Sequence, residues 1–204
     1  MKISKAKRLL ILGVILVVID QVIKILVKTN MQIGEHFSVI GNWFQIFFIE
    51  NEGMAFGMKF GGAVGKFLLS FFRIALFGVL CWWIASLARK SVDSSGKPAV
   101  PAGVLVGLTM ITAGAFGNII DSLFYGVIFD YAPLMFGRVV DMFYFPLIDT
   151  TWPAWVPFVG GERLLFFAPV FNFADSCVTV GAFYLILFQN RFFTREAPAS
   201  SDTH

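Results

Sequence analysis

Hydrophobic residues are concentrated in four long runs, at about residues 9–27, 67–88, 99–120 and 168–189. A helix that crosses the hydrocarbon core of a bilayer needs about 20 mostly apolar residues, so each run is long enough to span. Longer segments of mixed character separate the runs. The pattern predicts an all-α integral membrane protein with four transmembrane helices in a single membrane domain, residues 1–204.

The composition supports a membrane protein and excludes several other classes. Hydrophobic residues make up 57% of the 204 residues and charged residues only 14%, whereas roughly a quarter of a soluble domain is charged. The 25 Phe, 5 Trp and 4 Tyr exclude a disordered chain, because such chains are poor in aromatics. The net charge is only +3 and no basic stripe is present, so we expect no nucleic-acid partner.

Basic residues indicate how the helices are oriented, because Lys and Arg collect in short cytoplasmic loops. They cluster before the first run, after the second and after the fourth, at Lys2, Lys5, Lys7, Arg8, Arg89, Lys90, Lys97, Arg191 and Arg195. With four spans these segments share one side, so both termini are predicted to be cytoplasmic. The connections at about residues 28–66 and 121–167 then face outward. The basic start resembles a signal peptide, but no small-residue cleavage site follows, so we interpret it as a retained first helix.

The outward connections are predicted to be structured. Residues 43–49 read Trp-Phe-Gln-Ile-Phe-Phe-Ile, an aromatic and β-branched run that is typical of a strand. Trp152 and Trp155 lie in the second connection, and Trp is common where a membrane meets water. We therefore predict a small β-rich extracytoplasmic subdomain and an interfacial outward loop. The small and polar residues 197–204 predict a disordered tail.

Polar residues in and beside the apolar runs concentrate near the predicted outer surface. They come from all four predicted helices and from the second outward connection: Asp20, Lys24, Arg73, Asn118, Asp121, Asp141, Asn172 and Asp175. An ionisable group at membrane depth suggests a functional site.

Several of these residues also have a purely structural explanation. Asp20 and Lys24 are four apart and can form an ion pair at a helix end, which explains them as well as a function does. Arg73 is better explained as a side chain that snorkels to the surface. Asn118 and Asp121 fit the outer end of the third helix.

Asp175 is the residue for which a structural explanation is weakest, because an unpaired carboxylate in an apolar run is costly. The residues that other hydrolytic mechanisms require are missing from this sequence. The chain has no H-E-x-x-H and no G-x-S-x-G motif, and neither Cys81 nor Cys177 has a histidine placed to activate it. If the chain is a hydrolase, the remaining chemistry is a pair of carboxylates that share a proton and activate a water between them.

Five motifs resemble those of the lipoprotein signal peptidases, the signal peptidase II family of intramembrane aspartyl proteases. In chain order they are Asp20-Gln21-x-x-Lys24, Asn51-x-Gly53-x-Ala55-Phe56-Gly57, Ala113-Gly114-Ala115-Phe116-Gly117-Asn118-x-x-Asp121, Val139-Val140-Asp141-Met142 and Phe171-Asn172-x-Ala174-Asp175. A single match of this kind is weak, whereas five in order on four spans are highly specific.

The resemblance implies a function and a set of site residues. The family removes the signal peptide from diacylglyceryl-modified prolipoproteins, cutting before the lipidated cysteine at the outer face of the bacterial cytoplasmic (inner) membrane, and globomycin inhibits it. Its catalytic dyad corresponds to Asp141 and Asp175, and its substrate-binding or supporting residues correspond to Asp20, Lys24, Asn51, Gly53, Asn118, Asp121, Asn172 and Ala174. The resemblance also implies no metal and no organic cofactor. We expect the prolipoprotein and membrane lipids as partners, and a monomer, because four helices can enclose one site.

Two features depart from the family pattern. The Arg that follows the Asp of the third motif is Ser122 here, and Arg138 is the nearby candidate to replace it. The segment between Asp121 and Asp175 is also longer than the family's usual spacing, through insertions on both sides of residues 138–141. The role of the longer outward loop around 123–165 stays open.

Two other functions also fit an apolar chain with intramembrane charges. A small ion or proton-coupled transporter would place Asp, Lys and Arg in the membrane, but here the polar residues gather near one face instead of following a path across it. A membrane scaffold with structural charges would tolerate Asp141→Asn and Asp175→Asn. Cleavage of a lipid-modified prolipoprotein, with and without globomycin, separates the three.

Overall fold

A computed structural model describes residues 4–52, 62–89, 100–166 and 169–188. Its elements are helices and short strands. In chain order they are α1 (Lys5–Asn30), β1 (His36–Ile40), β2 (Phe44–Asn51), α2 (Gly62–Arg89), α3 (Ala102–Ile120), a π-helical turn (Asp121–Tyr125), α4 (Gly126–Ile128), β3 (Val139–Tyr144), β4 (Ile148–Thr151), β5 (Arg163–Phe166), β6 (Val170–Phe171) and α5 (Phe173–Leu187).

Among the described residues, three helical segments are long and apolar enough to cross a membrane: α1, α2 and the continuous segment Ala102–Ile128. The fourth predicted span, residues 168–189, corresponds to α5, which is apolar but has only 15 residues. This helix begins at Phe173 because residues 170–171 pair with β3 and Asn172 caps the helix. The predicted disordered tail at 197–204 lies outside the described residues.

The third helix is longer than its apolar run predicts. It does not end at residue 120 but continues through the π-helical turn and ends at Ile128. Asp121 and Ser122 interrupt the apolar pattern, yet both are buried, and both accept hydrogen bonds from other elements, Asp121 from Gln21 and Ser122 from Arg73. The connection that follows this helix therefore begins at residue 129 and not at the predicted 121.

α3 lies between the other long helices and packs against α1, α2 and α5. Glycines make two of these contacts possible. A Cβ atom at Gly114 would overlap the carbonyl oxygen of Ala174 in α5, and one at Gly117 would overlap the carboxylate of Asp20 in α1. Backbone is thus brought close to the polar residues at the outer ends of the predicted spans.

The strands form a four-stranded antiparallel sheet, in the order β1-β2-β3-β6, and a separate β4-β5 hairpin. The predicted strand at residues 43–49 is confirmed as β2. An apolar cluster holds this sheet against α1 and the π-helical turn; its buried members are Val27, Phe48, Tyr125, Val140 and Met142. The cluster fixes β3, the strand that carries Asp141, against the helices.

Candidate active site

Asp141 and Asp175, called the carboxylate pair below, lie in one site although they come from β3 and from the first turn of α5. Asn172 Nδ2 donates to Asp141 Oδ1 at 2.6 Å, and Asn118 Nδ2 donates to Asp175 Oδ1 at 2.8 Å. The two amides also contact each other, because Asn172 Nδ2 donates to Asn118 Oδ1 at 3.1 Å. A bridge of two asparagines therefore links the two carboxyl groups.

The start of α5 orients Asp175 through a capping box. The backbone N–H of Asp175 donates to the side-chain oxygen of Asn172 at 2.9 Å, and the N–H of Asn172 donates to Asp175 Oδ2 at 3.3 Å. Such reciprocal bonds satisfy N–H groups that a helix start would otherwise leave unpaired. One oxygen of Asp175 is held by the cap and the other by Asn118, so the carboxyl group has a fixed orientation.

The surroundings of Asp141 change its ionisation. The residue is only 2% exposed, and its pKa is raised to about 7, first by burial and then by the negative charge of Asp175. Hydrogen bonds from Asn172 and from Asn51, whose Nδ2 lies 3.3 Å from Asp141 Oδ2, act in the opposite direction. Near pH 7 the pair can therefore hold one proton between its two carboxyl groups.

A buried group, called the lysine cluster below, consists of Lys24, Asp20, Asp121 and Asn118. The Lys24 ammonium has no exposure and contacts Asp20 Oδ2 and Asp121 Oδ2, each at 2.9 Å. It also donates to Asn118 Oδ1 at 2.8 Å. All three donors of the ammonium are used, which is the condition for burying such a charge without a large penalty.

The acidic members of the lysine cluster also hold the backbone beside the carboxylate pair. Asp20 Oδ1 accepts the N–H of Ala174 at 2.9 Å, and Asp121 Oδ2 accepts the N–H of Val140 at 3.2 Å. Each of these N–H groups belongs to the residue that directly precedes one of the two aspartates. The cluster thus fixes both elements that carry the pair, and Ala174 contributes through its backbone.

Two further residues join this network without a predicted role. Gln21 Nε2 donates to Asp20 Oδ2 at 3.1 Å and to Asp121 Oδ1 at 3.0 Å. The hydroxyl of Tyr125 donates to Gln21 Oε1 at 3.1 Å. Gln21 could have been found, because it is a polar residue inside an apolar run. Tyr125 carries no such signal, since it stands among other aromatic residues.

Arg138 does not replace the Arg that is absent at Ser122. Its Nη1 forms an ion pair with Glu50 Oε2 at 3.2 Å, and its side chain is 44% exposed. The guanidinium also lies over the ring of Tyr131. The prediction that Arg138 replaces the missing Arg fails because its guanidinium forms an ion pair with Glu50 of the neighbouring strand β2. The other supporting residue that remains to be placed, Gly53, lies outside the described residues.

Arg73 occupies the place next to Ser122 instead. Its Nη1 donates to Ser122 Oγ at 3.2 Å, and Ser122 Oγ donates to the backbone oxygen of Asn118 at 2.9 Å. The side chain therefore reaches from α2 to α3, and the prediction that it snorkels to the surface is wrong. No pattern in the sequence indicates this contact, because the two residues are 49 positions apart.

The chemistry available at the site is proton transfer by carboxyl groups. Among the described residues, no group of three or more His, Cys, Asp or Glu side chains is arranged to hold a metal ion. The side-chain amides of Asn118 and Asn172 donate to the carboxylate pair, and the Lys24 ammonium donates to Asn118. Such donors hold carboxyl oxygens in place and leave them able to exchange protons with a bound water.

Comparisons with known proteins agree on one family. Residues 12–191 match a family model described as signal peptidase (SPase) II. The chain is 45% identical to a lipoprotein signal peptidase of Porphyromonas gingivalis, over 91% of this chain and 84% of the relative. It is 38% identical to one of Amoebophilus asiaticus, over 86% of this chain and 75% of the relative. A solved structure of a bacterial membrane enzyme is similar in fold, with a TM-score of 0.58 and 24% identity over 95% of this chain and 94% of that chain.

Proposed function

Because the chain belongs to the signal peptidase II family, we infer that it removes signal peptides from prolipoproteins and that Asp141 and Asp175 are its catalytic pair. The observation that carries the catalytic assignment is the asparagine bridge, which links two carboxyl groups from different elements. The transporter alternative is not supported, since the relatives are named as peptidases. A scaffold would have no need for a linked pair of carboxyl groups.

Peptide hydrolysis by the pair starts from one shared proton. The ionised carboxyl group takes a proton from the water as its oxygen bonds to the scissile carbonyl carbon, and the protonated carboxyl group donates to the carbonyl oxygen. When the C–N bond of the resulting gem-diol breaks, the carboxyl group that took the proton from water passes it to the leaving amine. The other carboxylate takes a proton from a hydroxyl of the intermediate, so the pair again holds one proton. Asn51, Asn118 and Asn172 keep the carboxyl oxygens in position during these transfers.

We propose that the substrate is a diacylglyceryl-modified prolipoprotein, that it is cut before the lipidated cysteine, and that globomycin blocks the reaction. An apolar cleft of about 540 Å³ between α1, α2 and α3 supports a lipid-embedded substrate. Its lining extends from Ala6 at the start of α1 to Phe116 of α3, next to Gly117, which contacts Asp20. An apolar signal sequence can lie along such a surface without leaving the membrane.

We further propose four spans with α5 as the fourth, both termini in the cytoplasm, and a monomer in the bacterial inner membrane. Basic residues support this orientation: Lys5, Lys7 and Arg8 lie at the start of α1, and Arg89 lies at the end of α2. It places the sheet and the β4-β5 hairpin on the outer side. The hairpin connection exposes Trp155 and Phe158, which suits an interfacial loop in contact with lipid headgroups.

The test is cleavage by the purified protein in lipid vesicles. The substrate is a prolipoprotein with the diacylglyceryl group on its cysteine, and the matched control is the same precursor without that group. We expect the signal peptide to be released from the modified precursor only, and globomycin to prevent the release. Equal cleavage of both precursors would contradict the proposed substrate, and cleavage of neither would contradict the proposed function.

Activity is expected to fall as the pH rises through about 7. The reaction needs one proton on the carboxylate pair, and the pKa of Asp141 is raised to about 7 by burial and by the charge of Asp175. Above that pH the last proton leaves and no acid remains to protonate the carbonyl oxygen. The measurement is kcat/KM from about pH 5 to about pH 9. A rate that keeps rising across this range would show that the pair does not work with a shared proton.

A further inference from the structure

We propose that Arg73 is a positioning residue for the carboxylate pair: its guanidinium group, held by Ser122, sets the pH range in which the pair carries a single proton. This inference rests on the proposed catalytic roles of Asp141 and Asp175. None of the five family motifs contains a residue of α2.

The geometry directs Arg73 toward the site. The face of α2 that carries it meets α3 and the loop that follows α4: Ser70 donates to the backbone oxygen of Met135 at 3.0 Å, and Phe77 stacks on Phe116 at a ring-centroid distance of 4.7 Å. Arg73 lies between these contacts on the same helical face. Lys66 lies on this face too, four residues before Ser70, but Arg73 is the cation of the face whose interactions include both carboxyl groups of the pair.

Hydrogen bonds connect Arg73 to the asparagine bridge. The guanidinium donates to Ser122 Oγ at 3.2 Å, and that hydroxyl donates to the backbone oxygen of Asn118 at 2.9 Å. The side chain of the same asparagine donates to Asp175 at 2.8 Å. Two residues, Ser122 and Asn118, therefore connect the guanidinium of Arg73 to the carboxyl group of Asp175.

The charges around the pair leave a role for this cation. Electrostatic interactions link Arg73 with Asp175, Asp121 and Asp141. The charged groups around Arg73 and the pair, among the described residues, come from several elements: Asp20, Lys24 and Lys28 of α1, Glu50 of β2 and Glu52 after it, Lys66 and Arg73 of α2, Asp121 of the π-helical turn, Arg138 beside β3, Asp141 of β3 and Asp175 of α5.

Most of these charges are already matched. Lys24 is shared by Asp20 and Asp121, which leaves one net negative charge in the lysine cluster. Glu50 pairs with two cations, Lys28 and Arg138, which leaves one net positive charge in that group. A singly protonated carboxylate pair adds another negative charge, and Arg73 is the cation of α2 that interacts with both of its carboxyl groups. Without it, ionising the pair beside a second unmatched charge becomes harder, so both protons are retained to higher pH.

The experiment compares the pH profile of kcat/KM for the wild-type protein, Arg73→Gln and Arg73→Lys. We expect Arg73→Gln to move both limbs of the profile to higher pH by about one unit, and to lower the activity on the acidic limb about tenfold. Arg73→Lys keeps the charge and is expected to stay near the wild-type profile. Arg89→Gln is the matched control: it removes an arginine about 24 Å along the same helix, whose Nε is bonded to the Ala85 oxygen, and it leaves the profile unchanged.

A second variant covers the case in which Arg73→Gln fails to fold. The double variant Arg73→Ser with Ser122→Arg keeps one guanidinium between α2 and the π-helical turn, and we expect it to keep the wild-type limbs. A loss of activity by the same factor at every pH, or a profile that does not move, would overturn the role of Arg73.

The outcome also separates this inference from the proposed function. If Asp141→Asn is inactive and Arg73→Gln shows no shift, only the role of Arg73 fails. If Asp141→Asn cleaves normally, the catalytic pair itself fails.

Discussion

Replacing either Asp141 or Asp175 with Asn is expected to abolish cleavage, with kcat/KM lower by about a thousandfold or more. Asn has nearly the same shape as Asp and keeps one of its two acceptor oxygens, but it can neither accept a proton from water nor donate one to a carbonyl oxygen. Because both steps need the pair, the two single variants should be equally inactive, and the double variant should be no worse than either. The measurement is release of the signal peptide from a lipid-modified prolipoprotein.

The matched control is Asp130→Asn. Asp130 is exposed and has a positive φ of 54°, a conformation that Asn adopts readily, so this variant should cleave at the wild-type rate. Each inactive variant must also remain folded. Full or partial cleavage by either Asp141→Asn or Asp175→Asn would refute the catalytic assignment.

Thermal unfolding provides an independent check on Asp141. Its folded-state pKa is raised above the ordinary value of 3.8, so the folded state binds the proton more tightly than the unfolded state. The stability that this group contributes is fully present below the ordinary pKa of 3.8 and is lost as the pH rises from there through about 7. Asp141→Asn should therefore be no less stable than the wild-type protein at about pH 8, and its stability should depend less on pH over this range.

The positions of the long helices could be predicted because they depend on a local property of the chain, the density of apolar residues. The errors occur where tertiary contacts override that property. Asp121 and Ser122 interrupt an apolar run, but Lys24 and Gln21 of α1 contact Asp121, and Arg73 of α2 donates to Ser122. The helix therefore continues where the pattern ends.

The site residues could be named from motifs, but their partners could not. Nothing in the sequence says that Asp20 and Asp121 hold the N–H groups of Ala174 and Val140, because those pairs are brought together only by the packing of separate elements. The two arginines illustrate the same limit. Proximity in the chain predicts that Arg138 replaces the Arg missing at Ser122, whereas Arg73, 49 positions away, makes the contact with Ser122.

Lys24→Met is expected to destabilise the protein by about 3–5 kcal/mol. Met has a similar length and no charge, so the substitution leaves little cavity but strands two carboxylates. Asp20 and Asp121 are 1% and 0% exposed, and both would lose the counter-ion that now lies 2.9 Å away. Neither could be rehydrated without opening the contacts among α1, α3 and α5. The measurement is reversible unfolding of the purified protein in detergent.

Two further variants show whether the loss comes from the unmatched charges. Lys7→Met removes an exposed lysine from the start of the same helix and should change stability by less than about 0.5 kcal/mol. Lys24→Met combined with Asp121→Asn removes one of the two stranded charges, and it should recover part of the loss. A Lys24→Met protein as stable as the wild type would mean that Asp20 and Asp121 do not depend on the ammonium. Gln21, whose Nε2 donates to both carboxylates, and helix packing would then have to hold Asp20 and Asp121 in position, and cleavage by that variant would remain intact.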